Sequence, residues 1–129
     1  MNKILVEISV GELLDKISIL EIKKEKIKDS AKLKFINDEY NVLKDQLDKN
    51  VRSDQKLEDL FNSLKEINSK LWIIEDDKRM CEKNSDFGEK FVKLSRDVHF
   101  LNDDRAKIKL EINNHSGSKI KEIKEYTSY

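Results

Sequence analysis

Leu60-Phe61-Asn62-Ser63-Leu64-Lys65-Glu66-Ile67-Asn68-Ser69-Lys70-Leu71-Trp72-Ile73-Ile74-Glu75-Asp76-Asp77-Lys78-Arg79-Met80-Cys81-Glu82 is the stretch that decides the fold. Leu60, Leu64, Ile67, Leu71 and Ile74 recur at alternating steps of four and three residues, which an α-helix stacks on one face. After Ile74 that face passes to Glu75, Lys78, Arg79 and Glu82. A stripe that turns from apolar to ionic part-way along implies a buried charge network, which is either a structural clasp or a binding site.

Ser53-Asp54 opens this helix and Asn84-Ser85-Asp86 breaks it. Downstream, Asp86 and Glu89 are spaced as a cap, and a helix is predicted from about Phe87 to Asn114 on Phe91, Leu94, Val98, Leu101, Ile108 and Ile112. His115-Ser116-Gly117-Ser118 ends it. Upstream, Ser9-Val10-Gly11-Glu12 is a capping-box pattern, in which Ser9 accepts from the free amides of the first turn and Glu12 reaches back. It opens a helix from about Gly11 to Lys28 on Leu13, Ile17, Leu20 and Ile27. Asp29-Ser30 separates it from a helix reaching about Asn50 on Leu33, Ile36, Tyr40, Leu43 and Leu47. All three glycines fall at helix edges. The expected fold is all-α: an antiparallel bundle of about four long helices in a single domain, residues 1–129. Lys3–Ile8 alternates apolar and polar residues and Lys119–Tyr129 does so weakly, which allows a small two-stranded β appendage built from the two termini.

With 129 residues the chain can bury a core without metal or disulfide help. Charged residues are 40% of it, against roughly 25% in ordinary domains, which fits long solvated helices. The 26 basic and 26 acidic residues balance and intermix, so neither the basic excess nor the basic stripe of a duplex nucleic-acid binder is present. Cys81 stands alone and fits a reducing compartment. Met1–Ser9 lacks the apolar core of a signal peptide, and no apolar run reaches membrane-spanning length, so a cytoplasmic, non-membrane protein is expected. Only Arg52, Arg79, Arg96 and Arg105 are arginines; the other 22 basic residues are lysines. Arginine retained in so lysine-rich a chain points to places where a planar, multi-donor cation is needed.

Projection at 100° per residue places Glu21 and Lys24 beside the apolar stripe of the first helix. Glu75, Lys78, Arg79 and Glu82 fall within that of the third, and Arg105 near the centre of the fourth. Asn102, Lys109 and Asn113 line a border of that last face, with Asp76 and Asp103 a step further out. Each alone is ordinarily a snorkelling side chain or an intrahelical pair. Charge on three helices at once is different, because a buried ion pair scarcely stabilises relative to an apolar replacement. Glu21, Glu75, Asp76, Glu82 and Asp103 have the oxygen chemistry for Mg²⁺, but the Glu-Glu-x-x-Glu and Glu-x-x-Asp order of helical pyrophosphohydrolases is absent, and no metal or cofactor is assigned. Two histidines, His99 and His115, exclude a di-iron bundle. Arg79, Arg105, Lys24 and Lys109 could instead surround a carboxylate or phosphate, with Glu75 and Asn102 orienting it. Ile19, Ile22, Ile73 and Phe100 stand off the stripes and suggest a homodimer surface.

The stretches Ser9-Val10-Gly11-Glu12-Leu13-Leu14-Asp15-Lys16-Ile17-Ser18-Ile19-Leu20-Glu21-Ile22-Lys23, Leu71-Trp72-Ile73-Ile74-Glu75-Asp76-Asp77-Lys78-Arg79, Asn102-Asp103-Asp104-Arg105-Ala106 and Gly117-Ser118 together resemble a family of short bacterial and phage-borne proteins, the domain of unknown function 6165. The resemblance spans nearly the whole chain and implies a polar signature at Lys16, Glu21, Glu75, Asp76, Arg79, Glu82, Asn102, Asp103, Arg105 and Lys109. It implies no activity, and only an association with sugar-transfer and surface-polysaccharide proteins. Lys78 departs from the family's aliphatic residue, and Glu122-Ile123-Lys124-Glu125-Tyr126 matches its ending only loosely.

The favoured expectation is a binding or accessory protein whose cluster of Glu21, Lys24, Glu75, Asp76, Arg79, Glu82, Asn102, Asp103, Arg105 and Lys109 recognises a small anionic ligand, phosphate- or sugar-nucleotide-like. One alternative is a small enzyme using Glu75 or Glu21 for acid–base or Mg-dependent chemistry. The other is a structural, oligomeric interaction protein in which the cluster only fixes helix register.

Overall fold

The computed structural model describes residues 3–128 and contains four helices: α1 Val10–Lys26, α2 Ser30–Asn50, α3 Gln55–Lys83 and α4 Glu89–Ser116. Three start where a short oxygen-bearing side chain takes a first-turn amide that has no partner within the helix. Ser9 accepts from the Glu12 amide at 3.1 Å, Asp29 from Lys32 at 3.1 Å and Asp54 from Leu57 at 2.8 Å. The fourth start departs from expectation. Asp86 does not cap α4; its Oδ1 accepts from the Gly88 amide at 3.3 Å, holding the turn so that Gly88 becomes the N-cap and the helix begins at Glu89 rather than Phe87. At the other ends, Ser85 (φ 52°) follows α3 and Gly117 (φ 69°) follows α4. That left-handed conformation stops a helix and lets its last carbonyls be met.

α3 and α4 form a long antiparallel hairpin. His115 pairs with Asp54 at one end, Ile73 and Phe100 share a groove midway, and Lys78 lies over the Phe91 ring near the turn. α1 packs against all three other helices, whereas α2 packs its backbone closely against α1 alone. Burial follows from that placement. Leu13, Leu14, Ile17, Leu20 and Ile22 of α1 are all buried, while α2 buries only Ile36. Leu14, Leu57, Leu64 and Ile112 make the central cluster, with Val10, Leu47, Val51, Leu60, Phe61 and Ile108 around it.

Three expectations change. No strand forms among the described residues: the segments on either side of the bundle have no regular secondary structure, and Ile4, Leu5 and Val6 stand in solvent. Tyr129, at the end of the expected C-terminal arm, lies outside the described residues, as do Met1 and Asn2. Ile22 is core, 1% exposed, and belongs to no outer surface, whereas Ile73 and Phe100 are exposed. The ionic continuation of the α3 stripe is not buried either. Glu75, Arg79 and Glu82 stand in solvent, and the position that closes is Cys81, 3% exposed. Unpaired charge is costly to remove from water, so α3 turns Cys81 inward at the far end and leaves those three outside.

Candidate functional site

One face of α1 carries Gly11, Asp15, Ser18 and Ile22, all buried and spaced to lie on one side of the helix. The first three are short, and that lets the neighbouring helices approach. A Cβ on Gly11 would lie 2.6 Å from the Lys109 carbonyl oxygen and 2.9 Å from Asn113 Oδ1, so only glycine fits where α1 meets α4. The Gly11 amide donates to Asn113 Oδ1 at 2.7 Å and the Val10 amide to Ser118 Oγ at 3.4 Å. The first turn of α1 is thus capped by its own Ser9 and by two residues from the end of α4 and just beyond it.

Asp15, 1% exposed, is the centre of the polar interior. Its Oδ1 accepts from Asn68 Nδ2 at 2.8 Å and Arg105 Nε at 3.0 Å, and its Oδ2 accepts from Arg105 Nη2. This two-point fork is the geometry a guanidinium supplies and an ammonium does not. Asn68 also donates to Ser18 Oγ at 2.8 Å, and Ser18 donates to the Asp15 carbonyl at 2.8 Å. Lys109 lies beside the pair, 3.8 Å from Asp15, and binds Glu12 at 2.8 Å and Glu122 at 3.0 Å. Glu12 is therefore turned toward α4 rather than back to Ser9, and Glu122 ties the C-terminal segment to the same knot.

The electrostatics agree with the geometry. Burial pushes the Asp15 carboxyl up, but the bonds from Arg105 and Asn68 and the charges of Arg105 and Lys109 together hold it below its ordinary value. The bond to Asp15 raises the Arg105 guanidinium against the cost of burial. Burial lowers Lys109, and its bonds to Glu12 and Glu122 outweigh that and raise it. All three are charged at neutral pH, and among the described residues no buried side-chain nitrogen or oxygen lacks a partner.

The ten candidate residues are dispersed to six places. Arg105 and Lys109 belong to the clasp around Asp15. Glu75, Asp76 and Arg79 line an adjoining cleft of about 350 Å³ with Ile19, Ile22, Asn68, Leu71, Trp72 and the outer side of Arg105. Glu21 pairs with Lys65 at 3.1 Å, and Lys65 also takes Glu25 at 2.8 Å. Lys24 lies 4.0 Å above the Tyr40 ring, joining α1 to α2. Asn102 and Asp103 line a hollow of about 630 Å³ between α4 and the C-terminal segment, with His99, Lys124 and Tyr126. Glu82 is exposed in the last turn of α3. Among the described residues these places stay separate. Another cleft, about 400 Å³, opens between α2 and α3 over Leu14, Ile17, Leu57 and Phe61, with Glu21 on its rim.

Asp15, Ser18, Asn68 and Glu12 were not among the candidates. A signal existed: Asp15 and Ser18 continue the line of Gly11 along α1, and Asn68 lies between Leu64 and Leu71 on the α3 stripe. A short polar residue on the line of a glycine marks a close helix approach whose backbone and side-chain polar groups must be met from the other side.

The carboxylates that could have formed a metal centre are apart, and among the described residues no group of three or more His, Cys, Asp or Glu is placed to hold a metal ion. No described helix is long and apolar enough to cross a membrane. Neither curated proteins nor solved structures give a match to the chain. A family model does match, from residue 4 to residue 129, and so takes in the clasp, the cleft beside it and the segment that carries Glu122. The chain belongs to the family of unknown function DUF6165.

Proposed function

We propose that the chain is a small-ligand binding module and that the cleft lined by Trp72, Glu75, Asp76, Arg79 and Arg105 is its recognition site. One observation carries this reading: Arg105 stands with two nitrogens locked on buried Asp15 while its side chain still reaches the wall of an open cleft. A guanidinium held in this way has lost its freedom before a ligand arrives, so a further contact through its remaining nitrogen costs little ordering. Within the cleft, Glu75, Asp76 and Arg79 are exposed and make no ion pair in the described residues.

Their chemistry suits a phosphorylated, hydroxyl-bearing ligand with a flat ring, as in a sugar nucleotide. Arg79 and the outer side of Arg105 would take the anionic group, and the two carboxylates would accept from hydroxyls. Half-buried Trp72 offers a stacking face. The clasp itself is closed by its own partners, and its part is to hold Arg105. Free, buried Cys81 supports a reducing setting such as the cytoplasm.

The test is a thermal-shift and calorimetric comparison of wild type with Arg79→Met against a nucleoside diphosphate sugar, the nucleoside diphosphate, inorganic phosphate and a dicarboxylate. A ligand selective for the folded state raises the unfolding midpoint. The expected result is a rise with the nucleoside diphosphate sugar in wild type and none in the variant. An equal rise in both, or none in either, overturns the reading and leaves the clasp as a purely structural device.

A further inference from the structure

The outer side of α4 carries a strip of exposed apolar residues. Phe87, Val92 and Phe100 are 53%, 52% and 43% exposed, and Ile73 of α3, 52% exposed, adjoins Phe100 in the groove between the two helices. Two neighbouring concavities share Asp97 and Phe100, so the strip extends from Phe87 to Ile73 with Lys93, Arg96 and Asp97 set among its apolar residues. It lies on the α3–α4 hairpin, unlike the exposed apolar residues of the terminal segments. Exposed apolar residues grouped on one helix face and rimmed by charge are what a protein contact covers.

The charges along the strip identify the occupant. Lys93 is held by Asp97 at 2.7 Å, and Lys70 on the rim by Glu66 at 3.5 Å. Glu89 and Arg96 flank Val92 on the same face, and among the described residues neither makes an ion pair. They are two helical turns apart, so both side chains point the same way. When two copies of α4 lie antiparallel about an axis at Val92-Lys93, Glu89 of each copy stands opposite Arg96 of the other. Val92 then packs near the axis, with aromatic residues toward both ends. Two acids, Glu89 and Asp97, balance two bases, Lys93 and Arg96, so the strip selects neither a polyanion nor a polycation. A two-fold contact needs a surface complementary to itself, and this one is.

We propose that this face of α4, with Ile73, is the interface of a homodimer of this chain, its register set by reciprocal Glu89–Arg96 pairs. It also assigns Arg96, one of only four arginines, a place where a forked cation meets a carboxylate.

The test is sedimentation equilibrium of the full chain over a wide concentration range, for wild type, Glu89→Arg, Arg96→Glu and the double variant carrying both changes. Wild type is expected to dimerise. Each single reversal sets like charges against each other twice per dimer and weakens association by roughly tenfold or more. The double variant re-forms both pairs with the signs exchanged and recovers the wild-type constant. Arg96→Glu lies inside the helix and leaves its first turn untouched, and circular dichroism of every variant separates loss of association from loss of helix. A monomeric wild type, single variants that dimerise as wild type does, or a double variant no better than the singles would each overturn the proposal.

Discussion

Where α1 meets α3 and α4 the interior holds Asp15, Ser18, Asn68, Lys109 and Asn113, while on the outer side of α4 water meets Phe87, Val92 and Phe100. The usual sorting of residues is reversed in both places, for different reasons. At the seam the helices approach too closely for long apolar side chains, as Gly11 against the Lys109 carbonyl demonstrates. Short polar groups fit instead, and they are tolerated because each finds a partner on the opposing helix. On the outer strip Phe87, Val92 and Phe100 remain 53%, 52% and 43% exposed, so much of their apolar surface stays in water until a second surface covers it. Polar burial here depends on the presence of a partner, and apolar exposure on the lack of one.

The largest effect is expected from Arg105→Met, which leaves the Asp15 carboxylate buried without its main counter-charge. A loss of about 3–5 kcal/mol is expected, read by urea unfolding. A loss below about 1 kcal/mol, the worth of an exposed pair, would mean that the clasp is not the hinge of the seam. Gly11→Ala comes next. Its Cβ meets backbone that cannot swing aside, and a cost of about 1–3 kcal/mol is expected, with α1 displaced from α4. A neutral outcome would show that the seam can open without penalty.

Acid distinguishes the two regions further. The Asp15 carboxyl titrates below its ordinary value in the folded chain, so ionised Asp15 contributes full stability above about pH 4. That contribution is lost as pH falls through the lower, folded-state value. The stability gap between wild type and Asp15→Asn should therefore be widest near neutrality and close in acid. Because Glu25, Asp54 and Glu122 titrate in both proteins, the difference isolates Asp15. A gap that stays constant with pH would sink the electrostatic account of the clasp. The smallest effect belongs to Arg79→Met in the cleft, where the side chain is exposed and unpaired: stability should stay within about 0.5 kcal/mol of wild type. That near-neutrality makes it a cleaner probe of ligand binding than any change at Arg105.

The helices and most of their ends were legible along the chain because they are set by neighbours in sequence. Ser9 caps α1 as its pattern predicts, and the breaks read at Asp29-Ser30 and Ser53-Asp54 are where Asp29 and Asp54 cap the next helices. The start of α4 was misplaced because Asp86 spends its side chain on the Gly88 amide, a competition that composition does not reveal. Arg105 and Lys109 were correctly suspected of facing inward. Asp15 escaped because its neighbours Leu13, Leu14 and Ile17 make the stripe look complete without it. Glu75, Asp76 and Arg79 were grouped with the buried charges because projection records the angle around one helix and not what stands opposite it.

The chain by itself thus determined four helices, most of their ends and the existence of inward-facing charge, since periodicity and local hydrogen bonding act over a few residues. Only the tertiary structure decided which charges meet. The distance between Asp15 and Arg105 depends on how closely α1 approaches α4, and that approach is set by Gly11, Ser18 and Asn113 acting across segments about a hundred residues apart.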